Sequence, residues 1–110
     1  MVTCKTDAIW WMKLRETIFT RDRQCFISRI DEKHVCRDAW GNTHSPFDTH
    51  KLTLDHVHLV PGGVRGRRAP NDVRHMTAMC AESNIRGPSA WVRNYQRLYL
   101  KEIYGNEEKE

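Results

Sequence analysis

The chain has 110 residues, 39% of them hydrophobic and 29% charged, with a formal net charge of +4. That length fits one domain with a modest core, for which a metal staple would help. No apolar run approaches bilayer length, so a membrane-spanning protein is not expected. The mild positive charge suits a polyanionic partner without requiring one.

The first predicted element is a helix from about Asp7 to Arg21, with Asp7 as its cap and Trp10, Leu14 and Ile18 packed on the core. "QCFIS" reads as a short strand. From Asp31 to His50 the Gly, Asn, Ser and Pro content argues against regular structure. Lys51 to Val60 is a strand candidate that Pro61-Gly62-Gly63 ends. The loop from Val64 to Asp72 is basic and turn-rich. "VRHMTAM", Val73 to Met79, is the returning strand of a hairpin. A short helix at about Ala81–Ile85 follows, broken at Gly87-Pro88. The last helix runs from about Pro88 to Tyr104, with Trp91, Tyr95 and Leu98 as its packed stripe, and residues 105–110 form a frayed acidic tail. The order predicts a small α+β domain.

The N-terminus carries Lys5 and Asp7, and its apolar run Ala8–Met12 is too short for a signal peptide. An intracellular chain is therefore expected. Its four cysteines, Cys4, Cys25, Cys36 and Cys80, are then thiols or metal ligands rather than disulfides.

"LTLDHVHLVPGG", Leu52 to Gly63, looks like a core strand, yet Asp55 and His56 stand side by side in it. Asp55 offers a hard oxygen ligand, and His56 a base with a pKa near working pH. Strand neighbours point to opposite faces, so a bulge or a strand end is needed to bring both to one cleft. Arg65, Arg67, Arg68 and Arg74 follow within a short stretch and are candidate phosphate contacts, although a solvated loop would look the same. Then come His75, five residues before Cys80, and Asn84, four after it.

The ordered set "LTLDHV", "RAPNDVRHMTAMC" and "CAESN", with "CRDAWG" upstream, resembles the HNH endonucleases, and most of all those encoded by bacteriophages. The likeness covers about Leu14 to Tyr104. It departs from the family pattern in having His75 in the place of the middle Asn and Asn84 in the place of the last His. It implies a ββα-metal core, here with an added N-terminal and C-terminal helix, and metal-dependent hydrolysis of DNA phosphodiester bonds. His56 would be the general base, Asp55 and Asn84 the ligands of the divalent metal, and His75 the residue that orients the base through its backbone or side chain. Asn71 is an alternative middle residue, nine rather than five before Cys80, and also fits a plain turn after Pro70. Oxygen ligands favour Mg²⁺ or Mn²⁺. The resemblance further implies DNA as partner, a place in phage genome packaging beside terminase and portal, and the cytoplasm of a bacterial host as location. His58 could contact phosphate, act as base in place of His56, or fill space; His34, His44 and His50 receive no catalytic role.

Many HNH domains hold a structural zinc with two Cys-x-x-Cys pairs. Here Ser28 and Ser83 replace the partners of Cys25 and Cys80, and serine is a poor zinc ligand. The phage relatives suggest instead that Cys25, Cys36 and Cys80 converge, with His34 completing a tetrahedral set; buried free thiols are the alternative. Two other functions stay open at this stage. One is a degenerate HNH fold that binds nucleic acid without cutting it, and the other is a metal-stapled interaction module.

Overall fold

The computed structural model describes residues 5–59 and 69–105. Helix α1 (Lys5–Asp22) leads into α2 (Phe26–Ile30), then a two-residue hairpin of β1 (Cys36–Arg37) and β2 (Thr43–His44). Strand β3 (Leu52–His56) pairs antiparallel with β4 (Met76–Cys80), in a register that sets Asp55 against Thr77 and His56 against Met76. Helix α3 (Ala81–Arg86) follows β4 directly, and α4 (Ala90–Tyr104) closes the chain. The architecture is a small α+β domain, as the sequence pattern predicts.

All five β4 residues are buried. Its two faces are covered from different sides, so it reads as a continuous apolar run rather than an alternating one. Ile18, Phe26, Leu52, Met76, Met79 and Val92 make the centre of the core. Phe26 packs on Tyr99, with ring centroids 5.2 Å apart.

A polar knot locks α1 onto this core. Asp22 is fully buried. It accepts from Arg21 Nε at 2.5 Å, the Ala78 backbone N–H at 2.8 Å and Tyr99 Oη at 2.5 Å. The Arg21 guanidinium goes on to the Val73 and Met76 carbonyls at 2.7 and 2.6 Å. One ion pair thus ties α1, β4 and α4 together with every group satisfied.

Several local expectations are corrected. "QCFIS" forms no strand: α2 begins at Phe26, with Cys25 as its N-cap and Phe26 and Ile27 buried. The segment expected to be irregular contains the β1–β2 hairpin. Asp38 Oδ1 nucleates its turn by accepting from Trp40 and Asn42 N–H, both at 2.9 Å, and Gly41 takes the positive φ of +89°. Val73–His75 is a 3₁₀ turn, capped by Asp72 through Arg74 N–H at 2.8 Å, so the returning strand starts only at Met76. Helix α1 starts at Lys5, which puts Asp7 inside its first turn rather than at the cap, and Trp10 is half-exposed.

The packed stripe of α4 is also different. Trp91, Tyr95 and Leu98 are 47%, 48% and 61% exposed, while Val92, Gln96 and Leu100 face inward. Polar bonding decides the rotation of the helix: Gln96 is buried because it serves β3 and β4 with hydrogen bonds.

Candidate functional site

Strand β3 ends at His56, and no bulge is needed to bring the adjacent pair together. An open cleft of about 500 Å³ at the strand end is lined by Leu54, Asp55, His56, His58, Ala69, Asn84 and Arg93. Three of the predicted residues therefore share one cleft, and each is held by a different element.

Asp55 is 2% exposed. Two donors from α4 reach its Oδ2: Arg93 Nη1 at 2.6 Å and Gln96 Nε2 at 2.6 Å. Gln96 also donates to Thr77 Oγ1 at 2.7 Å, across the strand pair. Burial pushes the Asp55 carboxyl above its ordinary range, while the Arg93 charge and the Gln96 bond pull the other way. Neither donor uses Oδ1, which among the described residues is left as the carboxylate's remaining acceptor.

Asn84 is oriented by its own strand. Its Nδ2 donates to Thr53 Oγ1 at 2.9 Å and to the Leu54 carbonyl at 3.0 Å. With both donors committed, the amide presents its oxygen as the atom free to ligate. Oxygen donors from Asp55 and Asn84, on neighbouring elements of one cleft, are the donor set a hard divalent cation takes.

His56 Nε2 lies 2.7 Å from Asn71 Oδ1. An amide oxygen only accepts, so Nε2 carries the proton and Nδ1 is the basic atom of the neutral ring. The bond brings to His56 the residue that the sequence leaves as the alternative to His75. His75 is tied to the same strand end by its backbone: its carbonyl accepts from Val57 N–H at 2.8 Å, which extends the β3–β4 ladder by one step. Asn71 is therefore the residue that fixes the imidazole. His58 lines the same cleft, and its carbonyl accepts from Arg97 Nη1 at 3.5 Å. Arg74 is exposed on the 3₁₀ turn and is not among the cleft residues. Arg65, Arg67, Arg68 and Cys4 lie outside the described residues.

A second cluster lies at the other end of the strand pair. Cys25, His34, Cys36 and Cys80 each offer a ligand atom, all within 4.8 Å of one another. The three cysteines are buried free thiols and His34 is half-buried. Cys80 Sγ and His34 Nε2 are 3.5 Å apart, close to the edge of ~3.5 Å that a tetrahedral Zn–S/Zn–N pair defines. Cys25 and Cys80 both sit at helix N-caps, and the Cys80 backbone N–H donates to Cys25 Sγ at 3.3 Å. Ser83 does not enter the ligand set: its Oγ lies 3.3 Å from Cys80 Sγ and supports that sulfur.

The protonation pattern follows from crowding. Hydrogen bonds from Cys25 and Cys36 pull the Cys80 thiol strongly down, with Ser83 and His34 adding to this. Cys36 is pushed far up by its bonds to Cys25 and Cys80 and by burial. At Cys25 the bond from Cys36 lowers the thiol, but Cys80 and burial more than reverse it. The crowded thiols thus favour the thiolate at Cys80 and disfavour it at Cys25 and Cys36, and a bound cation would favour ionisation of all three. The four residues could hold a metal ion.

Sequence reasoning missed Arg93, Gln96, Thr77 and the Arg21–Asp22 pair. Arg93 and Gln96 are three apart on α4 and share a face, but the identity of that face appears only once the helix is docked. No described helix is long and apolar enough to cross a membrane. No protein-family model matches the chain, and no curated protein or solved structure matches it either.

Proposed function

We propose that this protein is a metal-dependent HNH endonuclease that hydrolyses DNA phosphodiester bonds. The observation that carries the reading is the cleft at the end of β3. There Asp55, His56 and Asn84 meet, the amide of Asn84 is turned so that its oxygen is the free atom, and the ring of His56 is fixed by Asn71. The resemblance of "LTLDHV" and "RAPNDVRHMTAMC" to phage HNH proteins supplies the substrate class.

Asp55 and Asn84 would hold the cation, Mg²⁺ or Mn²⁺ by the hardness of their oxygens. Bound there, such an ion supplies charge neutralisation at the phosphate and stabilisation of the leaving oxyanion. The chain's own residues do the rest. Neutral His56 takes the proton of the attacking water at Nδ1 while Asn71 keeps Nε2 protonated and the ring in place. Gln96 and Arg93 hold the Asp55 carboxylate in one orientation. In the Cys25/His34/Cys36/Cys80 cluster the chemistry of three sulfurs and one imidazole selects zinc, in a closed structural site. By the same resemblance, the protein would act in the cytoplasm of a phage-infected bacterium, on concatemeric DNA beside terminase and portal.

Plasmid incubated with Mg²⁺ or Mn²⁺ tests the reading. Nicked or linear product is expected, with a loss of about 10²-fold or more in His56→Ala. Equal cutting by both proteins would remove His56 as the base. One observation favours a second reading, a fold that binds DNA without cutting it: the Asp55 carboxylate is already paired with Arg93, which competes with a cation. Duplex binding without cleavage in any divalent ion would select that reading.

A further inference from the structure

Arg93 enters the cleft from α4 with its side chain 28% exposed, while its partner Asp55 is 2% exposed. Among the described residues, all of its side-chain hydrogen bonds leave from a single nitrogen. Nη1 donates to Asp55 Oδ2 at 2.6 Å, to the His56 carbonyl at 2.9 Å and to Gln96 Oε1 at 3.0 Å. A guanidinium carries five N–H donors, so the Nε–H and both Nη2–H groups have no protein acceptor among the described residues. Those two nitrogens form a planar fork, and its spacing matches two oxygens of a phosphate.

The anchor makes the fork stiff. Three acceptors on two elements hold Nη1, so little side-chain entropy is left to lose when the other edge binds. The surroundings suit an anion: His56 and His58 line the same cleft, and Arg97 stands one turn along α4 with its guanidinium on the His58 carbonyl. The single carboxylate of the cleft, Asp55, is already paired with Arg93 itself.

The geometry points to Arg93 as a phosphate-binding residue: Nη1 stays on Asp55, and the Nε/Nη2 fork grips the two non-bridging oxygens of a DNA backbone phosphate beside His56. The identity of the anion rests on the nuclease reading; the anion site itself does not. Arg93 would then join the carboxylate that orients the cation to the phosphate that is cut, within one side chain.

The wild-type protein is titrated with inorganic phosphate in EDTA, and the arginine side-chain Nε–H resonances are followed by NMR. A saturable shift of the Arg93 Nε–H signal, assigned by triple-resonance correlation to the Arg93 backbone in the wild-type protein, is expected. A signal that stays in place through the titration overturns the proposal. In parallel, binding of a short DNA duplex in EDTA is measured by fluorescence anisotropy. Arg93→Lys keeps the charge but loses the fork, and is expected to bind about tenfold more weakly, the size of one charge-assisted hydrogen bond. If Arg93→Lys fails to fold, by far-UV circular dichroism, the wild-type titration decides alone. Phosphate binding at Arg93 without cleavage in any divalent ion would keep this inference and remove the nuclease. Cleavage with a stationary Arg93 signal would keep the nuclease and remove the inference.

Discussion

Gln96→Met probes the support beneath the cleft. Gln96 is fully buried and bridges Asp55, Thr77 and Arg93. Methionine has nearly the same volume, so packing is kept while the amide is lost. The bond to the Asp55 carboxylate is charge-assisted, at ~1.5–3 kcal/mol, and the bond to Thr77 contributes ~1 kcal/mol. The new apolar burial returns roughly 1 kcal/mol. A net loss of about 1.5–3 kcal/mol follows, against a total stability on the order of 5–15 kcal/mol.

Urea denaturation at pH 7, followed by tryptophan fluorescence, measures this change. With m on the order of 1–1.5 kcal/mol/M, the midpoint falls by roughly 2 M. The variant also alters the pH dependence. Asp55 has a folded pKa above its unfolded value, so between the two the native state holds the extra proton. Stability therefore falls as pH rises through that window, and Gln96→Met steepens the fall by removing a donor to the charged form. An unchanged midpoint with unchanged m, or a shallower pH slope, would refute the view that Gln96 stabilises an ionised Asp55.

Asp22→Ala orphans the buried Ala78 N–H and Tyr99 hydroxyl and strips Arg21 of its partner, so a loss of ~3–5 kcal/mol in the same urea assay is expected. Purified protein is expected to carry roughly one zinc per chain by metal analysis, released by acid as the thiolates protonate; substantially less would remove the zinc reading. If zinc binds the folded chain alone, adding it at about 100 times its Kd raises stability by about 2.7 kcal/mol, readable as a rise in Tm. Tyr99 is pushed up to about 12 by burial and by its bond to Asp22, so the absorbance titration of the tyrosines has a late component. Because the unfolded tyrosine ionises first, that bond loses its contribution to stability as pH rises from 10 through 12.

The parts legible in the sequence were those whose signal is local. Strand β3 and helices α1, α3 and α4 follow from hydrophobic runs, breakers and a Gly-Pro stop, and the Asp55-His56 pair stood out because polar residues interrupt an apolar run. The convergence of Cys25, His34, Cys36 and Cys80 came from the resemblance, since no spacing rule links residues so far apart. What failed was decided by tertiary bonding. Trp91 and Tyr95 outrank Gln96 on any hydrophobicity scale, yet Gln96 is buried, because its hydrogen bonds to Asp55 and Thr77 fix the rotation of α4. Asn71 looked like a turn residue, since its bond to His56 spans a loop whose path the sequence leaves open. "QCFIS" is too short for periodicity to separate a helix from a strand.

Strands of five residues bury little apolar surface, so a two-stranded sheet of this size is marginal unless other elements hold it. Here four neighbouring segments each send a polar group to the strand pair. Asp22 at the end of α1 bonds Ala78, and Gln96 from α4 bonds Thr77. Asn84 from α3 bonds Thr53 and Leu54, and Cys25 ahead of α2 bonds Cys80. Register is therefore specified from outside the strand pair as well as by its own pairing. A slip of β3 by one residue would exchange the places of Asp55 and His56 between the α4 side and the Asn71 side, and it would break the Asn84 bonds to Thr53 and Leu54 together with the Gln96 bond to Asp55. The bonds that keep β3 in register are the same bonds that set Asp55, His56 and Asn84 around one cleft, so substitutions at Asp22 or Gln96 are expected to lower stability and to loosen the cleft in the same variant.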